Sequence, residues 1–244
     1  MDISIIIPAY NESHKVAGDV VCAAEFLARN ELTGEIIVVD DGSTDGTAAA
    51  AKGALEKAYG GVELKVICLD ANMGKGFAVK KGILSSCGDY VAFVDCGCCV
   101  PYDYLLKGIE LIGDDPGDID IAHASRKLNK STIHECQSFK RRMCSWLFKR
   151  FLVILMGGCK EFTDTQCGFK VYRGEIGREL FGECVTDGFM FDVEIILRAQ
   201  KRGYRISEFP IEWTCDIDSR LSPSKKLIEI VRELITIKKA LSDD

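Results

Sequence analysis

The chain has 244 residues, 47% of them hydrophobic and 28% charged. These are the proportions of a globular protein, and they exclude a disordered chain or a fibrous repeat. A chain this long buries roughly 70–75% of its unfolded surface and needs no covalent staple, while a formal net charge of -6 excludes nucleic-acid binding through bulk positive charge.

The first half alternates strand and helix patterns. Residues 3–8 are a continuous apolar run ending at Pro8, as in a buried parallel strand. Residues 14–29 carry Val16, Val20, Ala23, Ala24 and Leu27 at helical spacing. A strand at 35–40, an Ala-rich helix at 45–58, a strand at 63–68, a helix at 75–85 and a strand at 89–95 follow. Repeated strand–helix units of this kind build an open, mostly parallel sheet by right-handed crossovers. Ligands of such sheets bind at the carboxyl ends of the strands.

The second half is less regular. A strand at 118–125 leads into a basic, aromatic-rich segment at 134–157. A short strand at 168–172, a helix at 191–202, a strand at 205–210 and an amphipathic helix at 224–240 complete the chain. No Pro/Gly/Ser-rich linker or internal repeat divides it. The expected architecture is a single α/β domain, 1–244, with a three-layer α/β/α arrangement. Residues 1–125 would form the front half of that domain and 126–244 its back half.

The chain holds 12 cysteines. The N-terminus enters a strand pattern directly, with no basic stretch or cleavage site. The expectation is therefore a cytoplasmic protein with reduced thiols, most of them small buried hydrophobes. The crowded Cys96, Cys98 and Cys99 have no partner pair at zinc spacing. No run approaches the ~20 apolar residues of a membrane span.

Polar clusters stand at three predicted strand ends: Pro8-Ala9-Tyr10-Asn11-Glu12, Asp40-Asp41-Gly42-Ser43-Thr44-Asp45-Gly46-Thr47, and Asp95-Cys96-Gly97-Cys98-Cys99-Val100-Pro101. Carboxylates converging on one cleft repel unless they bind something. A hydrogen-bonded base and ribose, or a divalent cation, would relieve them. The plain alternative for residues 41–45 is a turn with a helix cap. Asn72-Met73-Gly74-Lys75-Gly76 places small residues and a lysine at a helix start, a geometry suited to anions, or simply a turn with a solvated lysine.

The ordered set resembles family 2 glycosyltransferases of the GT-A fold. With Gly88-Asp89-Tyr90, Ser125-Arg126, Asp164-Thr165-Gln166-Cys167-Gly168-Phe169-Lys170 and Phe191-Asp192-Val193-Glu194, it resembles the branch that makes polyprenyl- or dolichyl-phosphate sugars, across residues 3–222. The resemblance implies an inverting hexosyltransferase taking a UDP-glucose or GDP-mannose type donor to a polyprenyl or dolichyl phosphate. A transferase with a soluble or protein acceptor and a non-catalytic nucleotide-sugar-binding module are the other readings. It implies that Pro8, Tyr10, Glu12, Asp40 and Asp41 line the nucleotide pocket, and that Lys75, Arg126, Arg141 and Arg142 face the diphosphate. Asp164 would position acceptor or sugar, or act as base. Gln166, Asp192, Glu194, Ser219 and Arg220 would serve the sugar or acceptor phosphate.

The family usually carries Asp-x-Asp where this chain has Asp95-Cys96-Gly97. Asp95 remains the expected ligand for Mg²⁺ or Mn²⁺, and thiols serve such hard cations poorly. Three readings stay open here. The metal binds through Asp95, diphosphate and water; transfer runs on side-chain cations alone; or the site is weak. Among residues 134–157, Lys140, Arg141, Arg142, Lys149 and Arg150 interleave with Trp146, Phe148 and Phe151, which suits a membrane interface or a basic-faced core helix. The expected partners are the nucleotide sugar, the lipid phosphate, a membrane surface on which the protein sits peripherally, and a membrane-anchoring subunit.

Overall fold

The computed structural model describes residues 1–55, 62–113, 119–134, 159, 161–214 and 223–243. A seven-stranded sheet dominates, in the order β3-β2-β1-β4-β7-β5-β8. Its strands are β1 (Ile3–Ala9), β2 (Gly34–Asp40), β3 (Val62–Cys68), β4 (Tyr90–Val94), β5 (Ile121–Ser125), β7 (Phe169–Arg173) and β8 (Ile206–Pro210). Two short strands, β6 (Thr132–Ile133) and β9 (Glu212–Trp213), pair beside it. The helices are α1 (Val16–Arg29), α2 (Thr47–Lys52), α3 (Lys75–Leu84), α4 (Tyr104–Ile112), α5 (Gly174–Glu183), α6 (Phe191–Lys201) and α7 (Pro223–Asp243).

The apolar run of β1 is continuous because both faces of the sheet are covered. Ile3, Ile5 and Ile7 pack with α1 residues such as Val20, Ala23 and Leu27 on one side. Ile6, Ile37 and Val39 join Ala78, Val79, Phe181 and Phe191 on the other. The expected mostly parallel, three-layer α/β/α sheet is therefore present.

Two features depart from the expectation. The strand at 168–172 runs antiparallel to both neighbours, β4 and β5. Buried on both faces, it carries the same apolar pattern as a parallel strand, so its direction is not encoded locally. The helix expected over 45–58 is only Thr47–Lys52, with Gly53 at its C-terminal boundary.

This topology decides where chemistry gathers. β1 and β4 are adjacent although two strand–helix units separate them, which makes their boundary the switch point of the sheet. Because β7 is reversed, its first residue Phe169 lies opposite Val94, the last residue of β4. The loop carrying Asp164 to Gly168 therefore joins the loops after β1, β2, β4 and β5 at one edge.

Candidate active site

The loops after β1 and β2 are fastened to each other. The Asn11 N–H donates to Ser43 Oγ (2.8 Å), the Glu12 N–H to Thr47 Oγ1 (2.8 Å), and the Ser13 N–H to Asp45 Oδ2 (3.1 Å). Asn11 sits at φ 53, and its Oδ1 accepts the Thr44 N–H (2.8 Å). Burial opposes ionisation of Asp45, but bonds from Thr47 and Ser13 hold it at about 2. Around this clamp, Pro8 lies in β1 beside Val39, Tyr10 shows 40% of its surface, and Glu12 Oε2 is buried with no hydrogen-bond donor among the described residues.

Asp40 and Asp41 are both buried, with different work. Asp40 Oδ1 accepts the Ser43 N–H (3.0 Å). Asp41 accepts the Met73 N–H (2.7 Å), the Gly74 N–H (3.0 Å) and Asn72 Nδ2 (2.9 Å). Burial pushes Asp41 up, against those N–H bonds. Asp41 thus ties β2 to the loop that begins α3.

The start of α3 is not an open anion site. The Gly76 and Phe77 N–H groups donate to the Gly188 and Asp187 carbonyls, and those of Met73 and Gly74 to Asp41. A Cβ on Gly76 would come within 2.7 Å of the Gly188 and Thr186 carbonyls, so only glycine allows this approach. With these four backbone donors engaged, the loop presents its ammonium as well. Lys75 Nζ lies 2.6 Å from Asp95 Oδ1, as a charge pair without hydrogen-bond alignment. Burial acts against the Lys75 charge, but Asp95 and Asp192 hold it above the usual lysine range.

Asp95 also meets the Asp164–Lys170 motif. Its N–H donates to the Gly168 carbonyl (2.8 Å), and a Cβ on Gly168 would lie 2.0 Å from the Asp95 carboxyl carbon. Lys170 is fully buried, pairs with Asp192, and donates to the Thr165 carbonyl (3.1 Å). Burial pushes Asp192 up, against the pull of Lys170 and Lys75. Both ammonium groups lie over the Phe93 ring, at 5.7 Å and 5.4 Å. Asp95, Lys75, Asp192 and Lys170 thus alternate in sign across one patch.

The adjoining pair is Arg126 and Asp164. Arg126 Nε and Nη2 donate to the two Asp164 oxygens at 2.7 Å and 2.9 Å, and the Arg126 N–H adds a third bond at 3.2 Å. Asp164 is 1% exposed. Burial alone would raise it, but Arg126 holds it at about 2. Burial acts against the Arg126 charge, but Asp164 holds it above its ordinary value, and Asp95 adds to this. Trp213 lies under the guanidinium, 5.3 Å away, and Glu208 accepts the Thr163 and Asp164 N–H groups at 2.8 Å and 2.9 Å. Gln166 Nε2 is buried without an acceptor among the described residues.

Glu194 has a different setting from the one expected. It is fully buried, accepts the Val185 and Thr186 N–H groups (2.9 Å each) and pairs with Arg198 at 2.8 Å. Its carboxylate shapes the loop that packs on α3 and has no capacity left for a sugar hydroxyl. Arg141, Arg142, Ser219 and Arg220, and the segment 134–157 beyond His134, lie outside the described residues.

The cysteines also correct an expectation. Of the nine described, three are buried: Cys159, Cys167 and Cys184. Cys96 and Cys98 instead face Asp19, the buried carboxylate of α1, and donate to it at 3.3 Å each. Burial and the Asp19 charge push both thiols far up, so they stay protonated. No group of three or more His, Cys, Asp or Glu poised for a metal occurs among the described residues. Among the described residues Asp95 is the one carboxylate of the loop 95–99, and the Lys75 ammonium stands beside it. A single carboxylate already paired to an ammonium does not by itself make a resident Mg²⁺ or Mn²⁺ site. The role of Asp19 was missed in the sequence, although a carboxylate interrupting the apolar face Val16–Val20–Ala23 was its signal. Glu208 and Trp213 carried none, since their partners are about 45 and 87 residues away.

Comparison with known proteins agrees with this geometry. Over 97% of its length the chain is 32% identical to the dolichyl-phosphate beta-glucosyltransferases of Dictyostelium discoideum and Homo sapiens, covering 73% and 74% of those proteins. The Saccharomyces cerevisiae protein of the same name is 28% identical over 98% of the chain and 74% of its own length. Among solved structures, glucosyl-3-phosphoglycerate synthase from Mycobacterium tuberculosis superposes with a TM-score of 0.69 at 17% identity, covering 97% of this chain and 78% of the synthase. That structure holds Mn²⁺, UDP-glucose and glycerol 3-phosphate, and another of the same enzyme holds Mg²⁺ and UDP. At that identity the likeness shows the fold, GT-A. The model of the family described as glycosyl transferase family 2 matches residues 4–181, well over half of the sequence. The chain belongs to glycosyl transferase family 2 and is, by that membership, a glycosyltransferase.

Proposed function

We propose that the protein transfers glucose from UDP-glucose to a polyprenyl phosphate of the dolichyl type, with inversion at the anomeric carbon. The observation that carries this reading is the meeting, at one sheet edge, of the clamped nucleotide loops with two cation–carboxylate pairs, Lys75–Asp95 and Arg126–Asp164. The relatives' names supply glucose and the lipid phosphate, and the solved neighbour's ligands supply the uridine nucleotide.

In this reading Tyr10 offers its exposed ring to the base, while Glu12, Asp40 and Asp41 form the polar wall around the nucleoside. An acceptor phosphate oxygen attacks the anomeric carbon as the bond to the diphosphate breaks, and UDP departs with the electron pair. The acceptor is already ionised at neutral pH, so a strong base is unnecessary. Asp164, held at about 2, is a weak one. Its work is to aim Arg126, whose remaining donors meet phosphate oxygens bidentately. Lys75 meets the leaving diphosphate. Gln166 Nε2 and Asp192 supply hydrogen bonds to the sugar. Arg141, Arg142 and Arg220 are proposed to extend the cationic surface toward the phosphates, with the Ser219 hydroxyl as a neutral donor beside them.

Among the described residues no helix is long and apolar enough to cross a membrane. We place the protein at the cytoplasmic face of a membrane, where the basic, aromatic stretch within 134–157 meets the lipid, alone or with an anchoring subunit. The test is a transfer assay on purified protein with labelled UDP-glucose and dolichyl phosphate in detergent. The expected result is labelled lipid phosphate sugar. Transfer from GDP-mannose in its place, or to a water-soluble acceptor only, overturns the reading.

A further inference from the structure

The loop after β4 has an anchor of its own. Asp19, fully buried on α1, accepts the N–H groups of Gly97 (2.8 Å) and Cys98 (2.9 Å), the thiols of Cys96 and Cys98 (3.3 Å each), and the Tyr102 hydroxyl (3.3 Å). Five donors on one buried carboxylate satisfy it without a cation. The two backbone donors come from the two residues of this loop with unusual backbone: Gly97 at φ 114 and Cys98 at φ 48. Such conformations persist only where surrounding bonds over-determine them. Gly97 stands two residues after Asp95, where the family's second aspartate is expected, and φ 114 disfavours any residue with a Cβ. The thiols on either side of Gly97 are turned to Asp19. At the remaining carboxylate, a lysine ammonium stands 2.6 Å from Asp95 Oδ1 and already balances its charge.

We propose that Asp19 fixes this loop in place of a divalent cation, and that Lys75, with Arg126, neutralises the diphosphate, so that UDP binding and glucose transfer need neither Mg²⁺ nor Mn²⁺. This rests on the function proposed above. Asp19 is a positioning residue: it acts on Asp95 through the loop, and Asp95 in turn holds Lys75 until the diphosphate arrives.

The test is calorimetric titration of the chelator-treated protein with UDP, repeated with Mg²⁺ and with Mn²⁺. The Kd is expected to stay within about threefold across the three conditions, and a gain of about tenfold or more with either metal overturns the proposal. The neutral variant Lys75→Gln is expected to lose about tenfold in UDP affinity without recovery on adding metal; recovery with Mg²⁺ or Mn²⁺ contradicts it. Asp19→Asn turns an acceptor into a donor facing Gly97 and Cys98. It is expected to weaken UDP binding by about tenfold in protein whose circular dichroism is unchanged, and wild-type affinity in that variant overturns the anchoring role. Should Asp19→Asn not fold, Cys96→Ser/Cys98→Ser, which keeps both donors, is expected to bind UDP as wild type does without metal. A new metal requirement in it counts against the proposal. Failure of the underlying function looks different: no UDP binding under any condition, which removes both claims.

Discussion

Asp164 shows how one side chain's setting selects its role. Read as a motif, it suits a base or an acceptor-positioning group equally. In place, it is buried against Arg126 and shifted from an ordinary value of 3.8 to about 2. A carboxylate depressed in the folded state stabilises the fold above its unfolded pKa, near 4, and that contribution is lost as pH falls through about 2. The pair is linked to stability by about 2 kcal/mol, and Asp164→Asn, which leaves Arg126 buried without its partner, is expected to cost ~3 kcal/mol. Thermal unfolding between pH 2 and pH 7 reads this: the wild type loses stability toward the acid end more steeply than the variant. In the transfer assay Asp164→Asn is expected to lower kcat by about a hundredfold and, because Arg126 also meets the diphosphate, to weaken UDP binding by about tenfold. Unchanged UDP affinity would show that Asp164 does not aim Arg126 at the diphosphate.

At the scale of elements, the α3 start was legible as a motif but not as a contact. Small residues before a lysine suggested open backbone donors for an anion. The N–H groups instead go to Asp41 and to the carbonyls of Asp187 and Gly188, and the glycines are there for close approach. That contact lies about 110 residues along the chain, beyond the reach of any local pattern. Gly76→Ala is expected to push α3 off this loop, costing about 1–3 kcal/mol and displacing Lys75. The measurement is a urea unfolding curve together with a UDP titration. Lost stability with intact affinity would show that the contact does not position Lys75. Elements with strong apolar periodicity, β1, β2 and α1, agreed with expectation. The strand β7 was expected but its reversal was not, because burial on both faces hides strand direction, and the helices α4 and α5 were not expected.

On the scale of the whole molecule, seven strands and one reversal collect residues from 10 to 213 at a single edge. The family was legible because its motifs sit at strand ends, where the fold requires turns and the chemistry requires polar groups. The metal position was half legible: the missing carboxylate was plain in the sequence, while its replacement by an Asp19 anchor needed α1 and the β4 loop in contact. Membrane docking belongs to this scale too. Flotation with anionic liposomes is expected to carry the wild type upward, and a Trp146/Phe148/Phe151→Asp triple variant less so. Equal behaviour would remove the aromatic stretch from docking.

The central claim is transfer of glucose to a lipid phosphate by a cation set that the protein itself supplies. Chelator-treated protein with labelled UDP-glucose and dolichyl phosphate tests it most directly. The account predicts labelled lipid at a rate that added Mg²⁺ or Mn²⁺ changes little. Protein that binds UDP yet yields labelled lipid only after metal is added would contradict it.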